Sequence, residues 1–498
     1  MPNQSEVDIV VVGAGLSGIA AGVKLLENGF HDFVILEKAD DLGGSWRDNV
    51  YPGLTVDIPC LTYSFSFHQK PDWSRIYAPR AEILDYCRDV TDHFGVRSHL
   101  RFAATVVESR FDADTHLWHT RLSDGHSYVS RYVIGATGYL SVPRWPDFDG
   151  IDRFEGKALH TSNWDNDYDL TGKRVAFVGT GATGIQLIPE IADRGVEALH
   201  VFQRTPVWVL PKLDAAIPPA VQSTFRRLPG MMRLTRFLLA SVLDLVLIRV
   251  FVNYRQVRPL AQQIERLCLW HLRKQVDNPG LIEKFTPEYN WACKRPVFSN
   301  TFYPAFSRSN VELVTEPIER VTPNGIVTGD NIERPIDVLV CGTGFQPYGK
   351  ESTPTFTVIG KDGTALDDFW DENHYQALRG VATTNYPNYF MVGGPYSIAH
   401  HSYVQTIETS VRYIIRVLRE ARTRRASYVE VRPESQAAEY RDILKKRKKE
   451  LFFVGNCAGA NTYYIDRFGD TPSFRPSYHP KVWLDSKLGL FVKHFIIK

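Results

Sequence analysis

The stretch DIVVVGAGLSGIAAGVKLL, residues 8–26, determines how the N-terminal part of this 498-residue chain folds. An apolar run typical of a buried strand leads into a glycine-rich turn, and a helix-forming segment follows. The turn has the spacing G-x-G-x-x-G, through Gly13, Gly15 and Gly18. The first glycine permits the tight turn, the second lets a pyrophosphate approach, and the third lets helix and strand pack closely. The stretch therefore predicts a Rossmann-like unit whose helix N-terminus faces the phosphates of a dinucleotide.

The acid that follows this unit indicates which dinucleotide binds there. A second apolar run leads into Glu37 in the stretch FVILEK (33–38), and Glu37 lies 19 residues after Gly18. A carboxylate at this point accepts hydrogen bonds from a ribose 2′-hydroxyl and repels a 2′-phosphate. We therefore predict that the first unit binds FAD or NAD and not NADP.

The same pattern recurs at KRVAFVGTGATGIQLIPEIA, residues 173–192. The second turn contains the candidate phosphate-binding residues Gly179, Thr180, Gly181, Thr183 and Gly184. Its next strand, LHVFQRTP, ends in Arg204 and Thr205 where the first unit has its acid. A guanidinium binds a phosphate through two parallel hydrogen bonds, and the hydroxyl adds another donor. This unit is therefore predicted to bind NADPH, although a solvated strand-end arginine is the alternative explanation. Together the two units predict an oxidoreductase.

Two further strand–turn stretches mark where the chain crosses between nucleotide domains, at 131–146 (RYVIGATGYLSVPRWP) and 336–347 (IDVLVCGTGFQP). We predict an α/β protein with two Rossmann-like dinucleotide-binding domains. The FAD-binding domain comprises 1–145 and is completed by 376–498, and the NADPH-binding domain comprises 146–375. Strand signals disappear between about 212 and 290, which predicts a helical insertion in the second domain.

The composition is that of an ordinary globular protein, with 44% hydrophobic and 23% charged residues and a net charge of +2. This balance gives no argument for a nucleic acid partner. The six cysteines are scattered without a CxxC pair, which argues against a disulfide framework, a zinc knuckle and the dithiol reductases. Scattered thiols suit a reducing compartment, and the N-terminal segment has no signal-peptide character, so we predict a cytoplasmic protein.

The segment FLLASVLDLVLIRVFV, residues 237–252, is apolar on nearly every helical face. It is shorter than the roughly 20 residues that a bilayer span needs, and Asp244 and Arg249 interrupt it. We favour a helix buried in the insertion over a segment on a membrane surface or at a substrate access route, and both over a span. Membrane association is thus an open but not a favoured partner prediction.

Two longer motifs carry a resemblance to a known family. The stretch GGSWRDNVYPGLTVD (43–57) matches the pattern [AG]GxWxxxx[FY]P[GM]xxxD through Gly43, Gly44, Trp46, Tyr51, Pro52, Gly53 and Asp57. The stretch FEGKALHTSNWD (154–165) matches FxGxxxHxxxW[PD] through Phe154, Gly156, His160, Trp164 and Asp165. With these fingerprints the chain resembles the type I Baeyer–Villiger monooxygenases, which are class B flavoprotein monooxygenases, over nearly its whole length.

The resemblance implies the cofactors FAD and NADPH and the substrates O₂ and a ketone. It implies that a C4a-peroxyflavin inserts one oxygen atom beside the ketone carbonyl to give an ester or lactone, with sulfoxidation as a further activity. In WACKRPVFSNTFYPAFSRSNVELV (291–314), the match implies that Lys294 joins Arg204 and Thr205 on the 2′-phosphate. It also implies that Arg295 is the catalytic arginine and that Asp57 is its partner. Gly44, Ser45 and Trp46 would line the flavin, with Tyr63 either nearby or in the core.

The chemistry of this reaction suits an arginine. The reacting oxygen atoms carry negative charge in a site that excludes water, and a permanently charged, fixed donor stabilises them best. Asp57 would orient Arg295 and compensate its charge, although an ion pair that only joins two domains is the alternative. The apolar run 237–252 suggests that the ketone is hydrophobic.

Three other interpretations stay open at the sequence level. The enzyme could oxygenate sulfur or nitrogen instead, although such relatives typically lack the Trp–Asp ending of the shorter motif. It could also be an uncoupled NADPH oxidase or a redox flavoprotein.

We interpret residues 154–165 as a linker between the domains, in which His160 orients the nucleotide and is not a general base. The pair His400–His401 lacks an evident third ligand, so we expect no metal.

Overall fold

Two separate β-sheets organise the chain in the computed structural model, which describes residues 4–477 and 479–498. The first sheet has eight strands, in the spatial order Thr357–Ile359, Val106–Asp112, Leu117–Leu122, Ser127–Gly135, Gln4–Val12, Phe33–Leu36 and Leu100–Arg101, with Tyr389–Met391 paired to Ser127–Gly135. The strand Gln4–Val12 is parallel to both neighbours. Its residues Ile9, Val10 and Val11 are fully buried, as expected for a β-branched run covered on both faces.

Helices cover the first sheet and follow its strands. The helix Leu16–Glu27 begins directly after the first glycine turn, and a three-residue gap separates it from the strand Gln4–Val12. The other α-helices of this domain are Ser45–Asp48, Arg80–His93, Leu366–Asn373, Tyr403–Arg424, Pro433–Arg447 and His479–Leu488. The short helix Leu451–Val454 packs instead on the helical insertion. A small antiparallel pair, Val429–Val431 and Phe495–Ile497, lies beside them.

The second sheet is entirely parallel and has five strands. Their spatial order is Val311–Val314, Ala198–Phe202, Arg174–Val178, Val338–Cys341 and Lys157–His160. The helix Ala182–Ala192 follows the second glycine turn, and the short helix Phe302–Ala305 lies later in the domain. Two smaller sheets accompany it, made of Ile318–Thr322, Gly325–Thr328 and Glu333–Pro335, and of Val209–Leu210 with Val297–Phe298. Two Rossmann-like units in one α/β chain, each with parallel strands around its glycine turn, confirm the predicted fold class.

The insertion is helical. It contains Pro219–Arg227, Pro229–Leu243, the π-helical turn Asp244–Ile248, Arg249–Val252, Tyr254–Gln275 and Pro279–Phe285. Among the residues that the structure describes, no single helix is long and apolar enough to cross a membrane. Two consecutive helices, Pro229–Val252 and Tyr254–Gln275, meet at a bend of 116°. Only when they are taken together do they have the length and composition of a span.

The chain returns to the first domain earlier than the predicted boundary at 375. The strand Thr357–Ile359 pairs in parallel with Val106–Asp112, and the helix Leu366–Asn373 follows it. The two segments therefore belong with the first sheet, although the predicted range 146–375 contains them. The crossing follows the glycine-containing stretch 336–347, a predicted crossing point, but the strand is only three residues long, and its partner is set by tertiary contact.

Three other expectations need correction. Residues Lys157–His160 of the shorter motif are the edge strand of the second sheet and not a free linker, because the strand Val338–Cys341 pairs with them. The segment 237–252 is not buried on all faces, since Phe237 is 63% exposed. A single disulfide joins Cys293 to Cys457, although the cysteine spacing gave no sign of one. A pair separated by 164 positions is defined only by the folded chain.

Candidate active site

The first glycine turn forms a cradle that only residues without a side chain can make. Gly44 has a φ of +53°, and a Cβ atom on it would lie 3.0 Å from the Cα of Gly15. Gly15 is also the N-cap of the helix Leu16–Glu27 and provides no side-chain cap, so the first N–H groups of the helix point to this cradle. A phosphate fits such a helix terminus.

Glu37 lies where the ribose of this site is expected. Its carboxylate is buried and accepts hydrogen bonds from the backbone N–H of Ala14 at 2.7 Å and from Arg47 Nη1 at 3.0 Å. These bonds fix its orientation and leave lone pairs for a sugar hydroxyl. The prediction of a non-phosphorylated ribose at this site agrees with this placement.

The second glycine turn leaves open space in front of its helix. A Cβ atom on Gly181 would meet no other atom within 4 Å, whereas one on Gly184 would lie 2.5 Å from the carbonyl oxygen of Gly179. Gly184 thus permits helix packing, and Gly181 permits close approach of a ligand. Thr180 lies buried with its hydroxyl 3.4 Å from Gln203 Oε1, so it supports the turn from inside.

The residues predicted to hold the 2′-phosphate come together as a cluster of cations. Burial, and then the charge of Arg204, lower the pKa of the Lys294 ammonium to about 8. Thr205 follows Arg204 in the chain, and its hydroxyl accepts a hydrogen bond from Asn461 Nδ2 at 2.9 Å. Two adjacent cations with a lowered ammonium pKa are the arrangement expected of a site for a dianion.

Arg295 and Asp57 form the bidentate pair that the resemblance implied. Arg295 Nε donates to Asp57 Oδ2 at 2.7 Å, and Nη2 donates to Asp57 Oδ1 at 2.8 Å. The carboxylate raises the pKa of the guanidinium well above its ordinary value, against the opposing effect of burial. Because Asp57 uses two of the five N–H groups, the Nη1 side of Arg295 is left to donate elsewhere.

Aromatic residues surround this pair. Trp46 Nε1 donates to the hydroxyl of Tyr63 at 3.1 Å, with the two rings edge to face at 5.6 Å. Burial raises the pKa of Tyr63, and the charges of Asp57 and Arg295 also act on it, so it lies beside the ion pair. Tyr63 thus lies near the ion pair, and its ring also packs against the core of the first domain.

The long fingerprint crosses from one domain to the other. Its start, the short helix Ser45–Asp48, is fixed by Arg80, which donates to the carbonyl oxygen of Trp46 at 2.7 Å. Its end packs on the second domain, where the backbone N–H of Thr55 donates to Gln186 Oε1 at 2.8 Å. Tyr51 is buried in the core of the second domain and forms a side-chain hydrogen bond with Thr183. This segment therefore holds Asp57 between the two nucleotide sites.

A C-terminal segment, residues 456–464, completes the site, and no motif in the sequence marks it. The backbone N–H of Asn290 donates to the carbonyl oxygen of Asn456 at 2.8 Å, and the disulfide Cys293–Cys457 follows. This contact brings Asn461 to Thr205, and the hydroxyls of Tyr463 and Tyr464 act on the charge of Arg295. Tyr139 also acts on that charge, and it lies in the T-G-Y turn already identified as a crossing point.

The shorter motif lies at the edge of the second sheet. His160 is at the end of its strand, where Nδ1 accepts from the backbone N–H of Ser162 at 3.2 Å and burial lowers the pKa of the ring. The indole of Trp145 lies 5.5 Å from the imidazole. Trp164 is buried in the core of the second domain, and Asp165 is paired on the surface with Lys157 at 3.2 Å. The remaining motif residues, Phe154 and Gly156, pack against each other.

His400 and His401 serve a structural contact. Both hydrogen-bond to the buried carboxylate of Asp244 in the insertion, and His401 Nδ1 lies 2.8 Å from Asp244 Oδ1. Burial would raise the pKa of Asp244, but these bonds hold it well below its usual range. Among the residues that the structure describes, no group of three or more His, Cys, Asp or Glu could hold a metal ion.

The residues present fit FAD at the first turn and NADP at the second. The close approach of Gly15 and Gly44 leaves no side chain at the helix N-terminus, where a pyrophosphate binds, and the charges of Arg204 and Lys294 match a 2′-phosphate. The fold and the site thus define an FAD- and NADPH-dependent flavoprotein oxidoreductase with an arginine–aspartate pair between its nucleotide sites.

Comparisons with known proteins identify the family. The family model for pyridine nucleotide-disulphide oxidoreductases matches residues 10–235. A Baeyer–Villiger monooxygenase of Pseudomonas aeruginosa is 37% identical over 90% of this chain and 84% of its own. One from Streptomyces coelicolor is 35% identical over 95% of this chain and 89% of its own. The chain belongs to the Baeyer–Villiger monooxygenase family.

Solved structures agree over the whole length of the chain. A closed crystal structure of cyclohexanone monooxygenase superposes with a TM-score of 0.87 at 27% identity, covering 99% of both chains. An oxidized steroid monooxygenase bound to NADP gives 0.84 at 27% identity, also over 99% of both. A complex of OTEMO with FAD and NADP gives 0.86 at 25% identity and the same coverage. The protein is therefore an NADPH-dependent flavoprotein monooxygenase that uses FAD.

Proposed function

We propose that this enzyme converts a hydrophobic ketone to an ester or lactone, with Arg295 as the catalytic residue and Asp57 as the residue that positions it. The observation that carries the proposal is the bidentate pair at 2.7 and 2.8 Å between the two nucleotide sites. The overall reaction is balanced as ketone, O₂, NADPH and a proton giving ester, NADP⁺ and water. When bound, FAD and NADPH supply the hydride transfer and the activation of O₂.

The protein's part in this reaction is electrostatic. Arg295 keeps its charge because the Asp57 carboxylate raises its pKa. The N–H groups that Asp57 does not use stabilise the negative charge that develops on the reacting oxygen atoms and on the former carbonyl oxygen. Such a donor acts most strongly in a site that excludes water. The buried ring of Tyr464 and the half-buried ring of Tyr139 support this exclusion, and the pKa of both hydroxyls is raised, so that they stay neutral.

The proposal extends to the remaining predicted ligands of the nucleotides. Gly13, Gly15, Gly18, Glu37, Gly44, Ser45 and Trp46 bind FAD; Gly179, Thr180, Gly181, Thr183, Gly184, Arg204, Thr205 and Lys294 bind NADPH. His160 at the edge of the second sheet orients the nucleotide and does not act as a general base, because its Nδ1 already accepts from the backbone N–H of Ser162. Its Ala variant is expected to retain FAD and to turn over more slowly.

The substrate class is proposed from chemistry and from the names of the structural neighbours. Those neighbours are named for cyclohexanone and for a steroid, both of which are apolar apart from their oxygen functions. The aromatic surroundings of Arg295 suit such a molecule. Sulfoxidation of a thioether is proposed as a side activity. A cytoplasmic location stays a prediction, which fractionation of cells expressing the protein would check.

One experiment tests the function directly. The FAD-loaded protein is supplied with NADPH, ¹⁸O₂ and a panel of linear, cyclic, aryl and steroid ketones, and products are analysed by mass. A gain of one ¹⁸O atom in an ester or lactone is expected for at least one ketone. Conversion of all consumed NADPH to hydrogen peroxide with every ketone would instead indicate an uncoupled oxidase. Oxygenation of sulfides and amines alone would indicate the heteroatom-oxygenating class.

A further inference from the structure

The insertion contains a helix whose apolar side faces outward. On Pro229–Val252, the apolar row consists of Leu234, Phe237, Leu238, Val242 and Leu245, which are 57%, 63%, 54%, 57% and 53% exposed. Spacings of three and four residues place them along one side of the helix. A helix on a globular protein normally turns such a side to the core and its charged residues to water.

The opposite side of the same helix is charged and buried. Arg236 is 6% exposed, and its Nη1 donates to the carbonyl oxygens of Leu61 and Ser64 at 2.5 and 2.7 Å. Two turns later Asp244 is 7% exposed and bonds to His401. Because these bonds would be lost if the helix rotated, they fix the apolar row on the outside.

The surroundings of the apolar row are strongly basic. The segment 219–275 carries ten basic and two acidic residues, a net charge of +8 in a chain whose overall charge is +2. The exposed cations are Arg226, Arg227, Arg233, Arg249, Arg255, Arg258, Arg266, Arg273 and Lys274. Arg227 and Arg233 lie just before and at the start of the row, and Arg249 lies one turn after Leu245. Basic residues beside an outward apolar face are the pattern of a helix that lies in a bilayer interface.

The second long helix of the insertion has the same character. Tyr254–Gln275 exposes Leu260, Leu267 and Trp270, and Lys274 Nζ lies 5.1 Å from the ring of Trp270. Tryptophan and lysine side chains are common at the level of lipid headgroups. We propose that the apolar row docks on the surface of a bilayer that contains anionic lipid, without spanning it.

The charge distribution favours lipid over a second copy of this chain. In a symmetric dimer through the apolar row, the cations of one insertion would face those of its partner, and like charges would repel. Anionic headgroups instead complement them. Arg236 of the helix Pro229–Val252 bonds to the loop Leu61–Ser64, which contains Tyr63 beside the ion pair. The bilayer surface would therefore lie close to the active site.

Flotation of the FAD-loaded protein with vesicles tests the proposal without an activity readout. Wild-type protein is expected to float with vesicles of phosphatidylcholine containing about 30% phosphatidylglycerol, and to bind phosphatidylcholine alone far less. The triple variant Phe237→Gln/Leu238→Gln/Val242→Gln is expected to lose at least about 100-fold in partitioning. The matched control is Leu213→Gln/Ile332→Gln/Leu488→Gln, whose side chains are also at least half exposed, and it should float as wild type does.

A second variant tests the electrostatic part. Arg227→Gln/Arg233→Gln should weaken binding by about fivefold for each arginine, and high salt should have a similar effect. Wild-type protein that does not float, or a triple variant that floats unchanged, would overturn the proposal. A wild-type dimer in light scattering that the triple variant converts to a monomer would also overturn it, in favour of a second copy.

Discussion

At the residue scale, the site contains two arrangements of charged groups, an ion pair and two neighbouring cations. Asp57 and Arg295 are bonded to each other, whereas Arg204 and Lys294 are held close despite like charge. We propose that the first arrangement holds a cation toward the reacting atoms and that the second binds the 2′-phosphate, whose negative charge compensates the two cations. Each arrangement has its own measurable consequence.

The lowered pKa of Lys294 predicts a pH dependence of NADPH binding. A phosphate dianion favours the protonated amine, so the pKa in the complex lies above the value of about 8 in the free protein. The affinity should therefore be nearly constant around neutral pH and should fall as the pH rises through 8. Titration of NADPH binding to the FAD-loaded protein between about pH 7 and 9.5 checks this.

NADH provides the control for this prediction, because it lacks the 2′-phosphate and its affinity should not follow the same curve. The variant Lys294→Ala should flatten the curve for NADPH. In Arg204→Ala the pKa of Lys294 should rise because a neighbouring cation is lost, so the NADPH affinity should fall at a higher pH. Equal pH dependence for NADPH and NADH would show that Lys294 does not contact the 2′-phosphate.

Removing the charge of Asp57 tests whether this residue positions Arg295 for catalysis or only stabilises the fold. Asp57→Asn should lower ester formation by about 100-fold and raise the fraction of NADPH lost as peroxide, because Arg295 is no longer fixed. The free energy of unfolding should fall by about 1–3 kcal/mol, since the pair is partly exposed. Product analysis, peroxide assay and calorimetry measure the three effects.

The pair Arg174–Asp337 is a matched control for this variant. It is also bidentate, at 3.1 and 2.7 Å, and its side chains are 34% exposed, close to the 33% and 24% of Arg295 and Asp57. Asp337→Asn should lower stability and leave the product yield unchanged. If both variants lose only stability, the Asp57–Arg295 pair is a domain contact and not a catalytic arrangement.

At the scale of elements, the glycine turn and the short helix Ser45–Asp48 form the flavin cradle together. A methyl group on Gly44 would lie 3.0 Å from Gly15, so Gly44→Ala should prevent FAD from binding or lower its affinity at least about tenfold. The FAD content of purified protein, measured by absorbance, checks this expectation.

Gly172→Ala is the control for the backbone strain of this substitution. Gly172 also has a positive φ, +67°, but a Cβ atom there would meet no other atom within 4 Å. The Gly172→Ala variant should lose about 1–2 kcal/mol of unfolding free energy through backbone strain and should keep its FAD. Full FAD content in Gly44→Ala would mean that the cradle does not hold the pyrophosphate.

The contact between residues 288–293 and the C-terminal segment predicts a redox-dependent stability. Cys457→Ser removes the bond to Cys293 and should lower the free energy of unfolding of the oxidised protein by about 2–4 kcal/mol. Under a reductant, wild type and variant should unfold alike. Cys268→Ser, at a buried free cysteine, should show no such difference between the two conditions. Calorimetry with and without reductant distinguishes these outcomes.

At the scale of the whole molecule, the sequence predicted what periodic patterns and fixed motifs encode. Both nucleotide units follow from glycine spacing, and the helical insertion follows from the loss of strand signals. The Asp57–Arg295 pair follows from the match of the long fingerprint and of the stretch 291–314 to the family. The pairing of the short strand Thr357–Ile359, the disulfide and the role of Asn461 did not follow, because they arise where distant segments meet.

The insertion helix is the clearest case in which pattern and fold disagree. Its apolar run suggested burial, but two charged residues within it, Arg236 and Asp244, find buried partners and turn the apolar row outward. No periodicity argument could show which side would be covered, since the partners Ser64 and His401 lie far away in the sequence. The outward face is therefore a property of the folded molecule.

The whole account depends on Arg295 acting in the oxygen-transfer half of the reaction. The most direct measurement follows Arg295→Ala through both halves, with flavin bleaching by NADPH without oxygen and then product formation from a ketone in air. We predict bleaching within about a few fold of wild type and a loss of ester of at least about 100-fold, with peroxide formed instead. Ester formation at the wild-type rate in this variant would contradict the account.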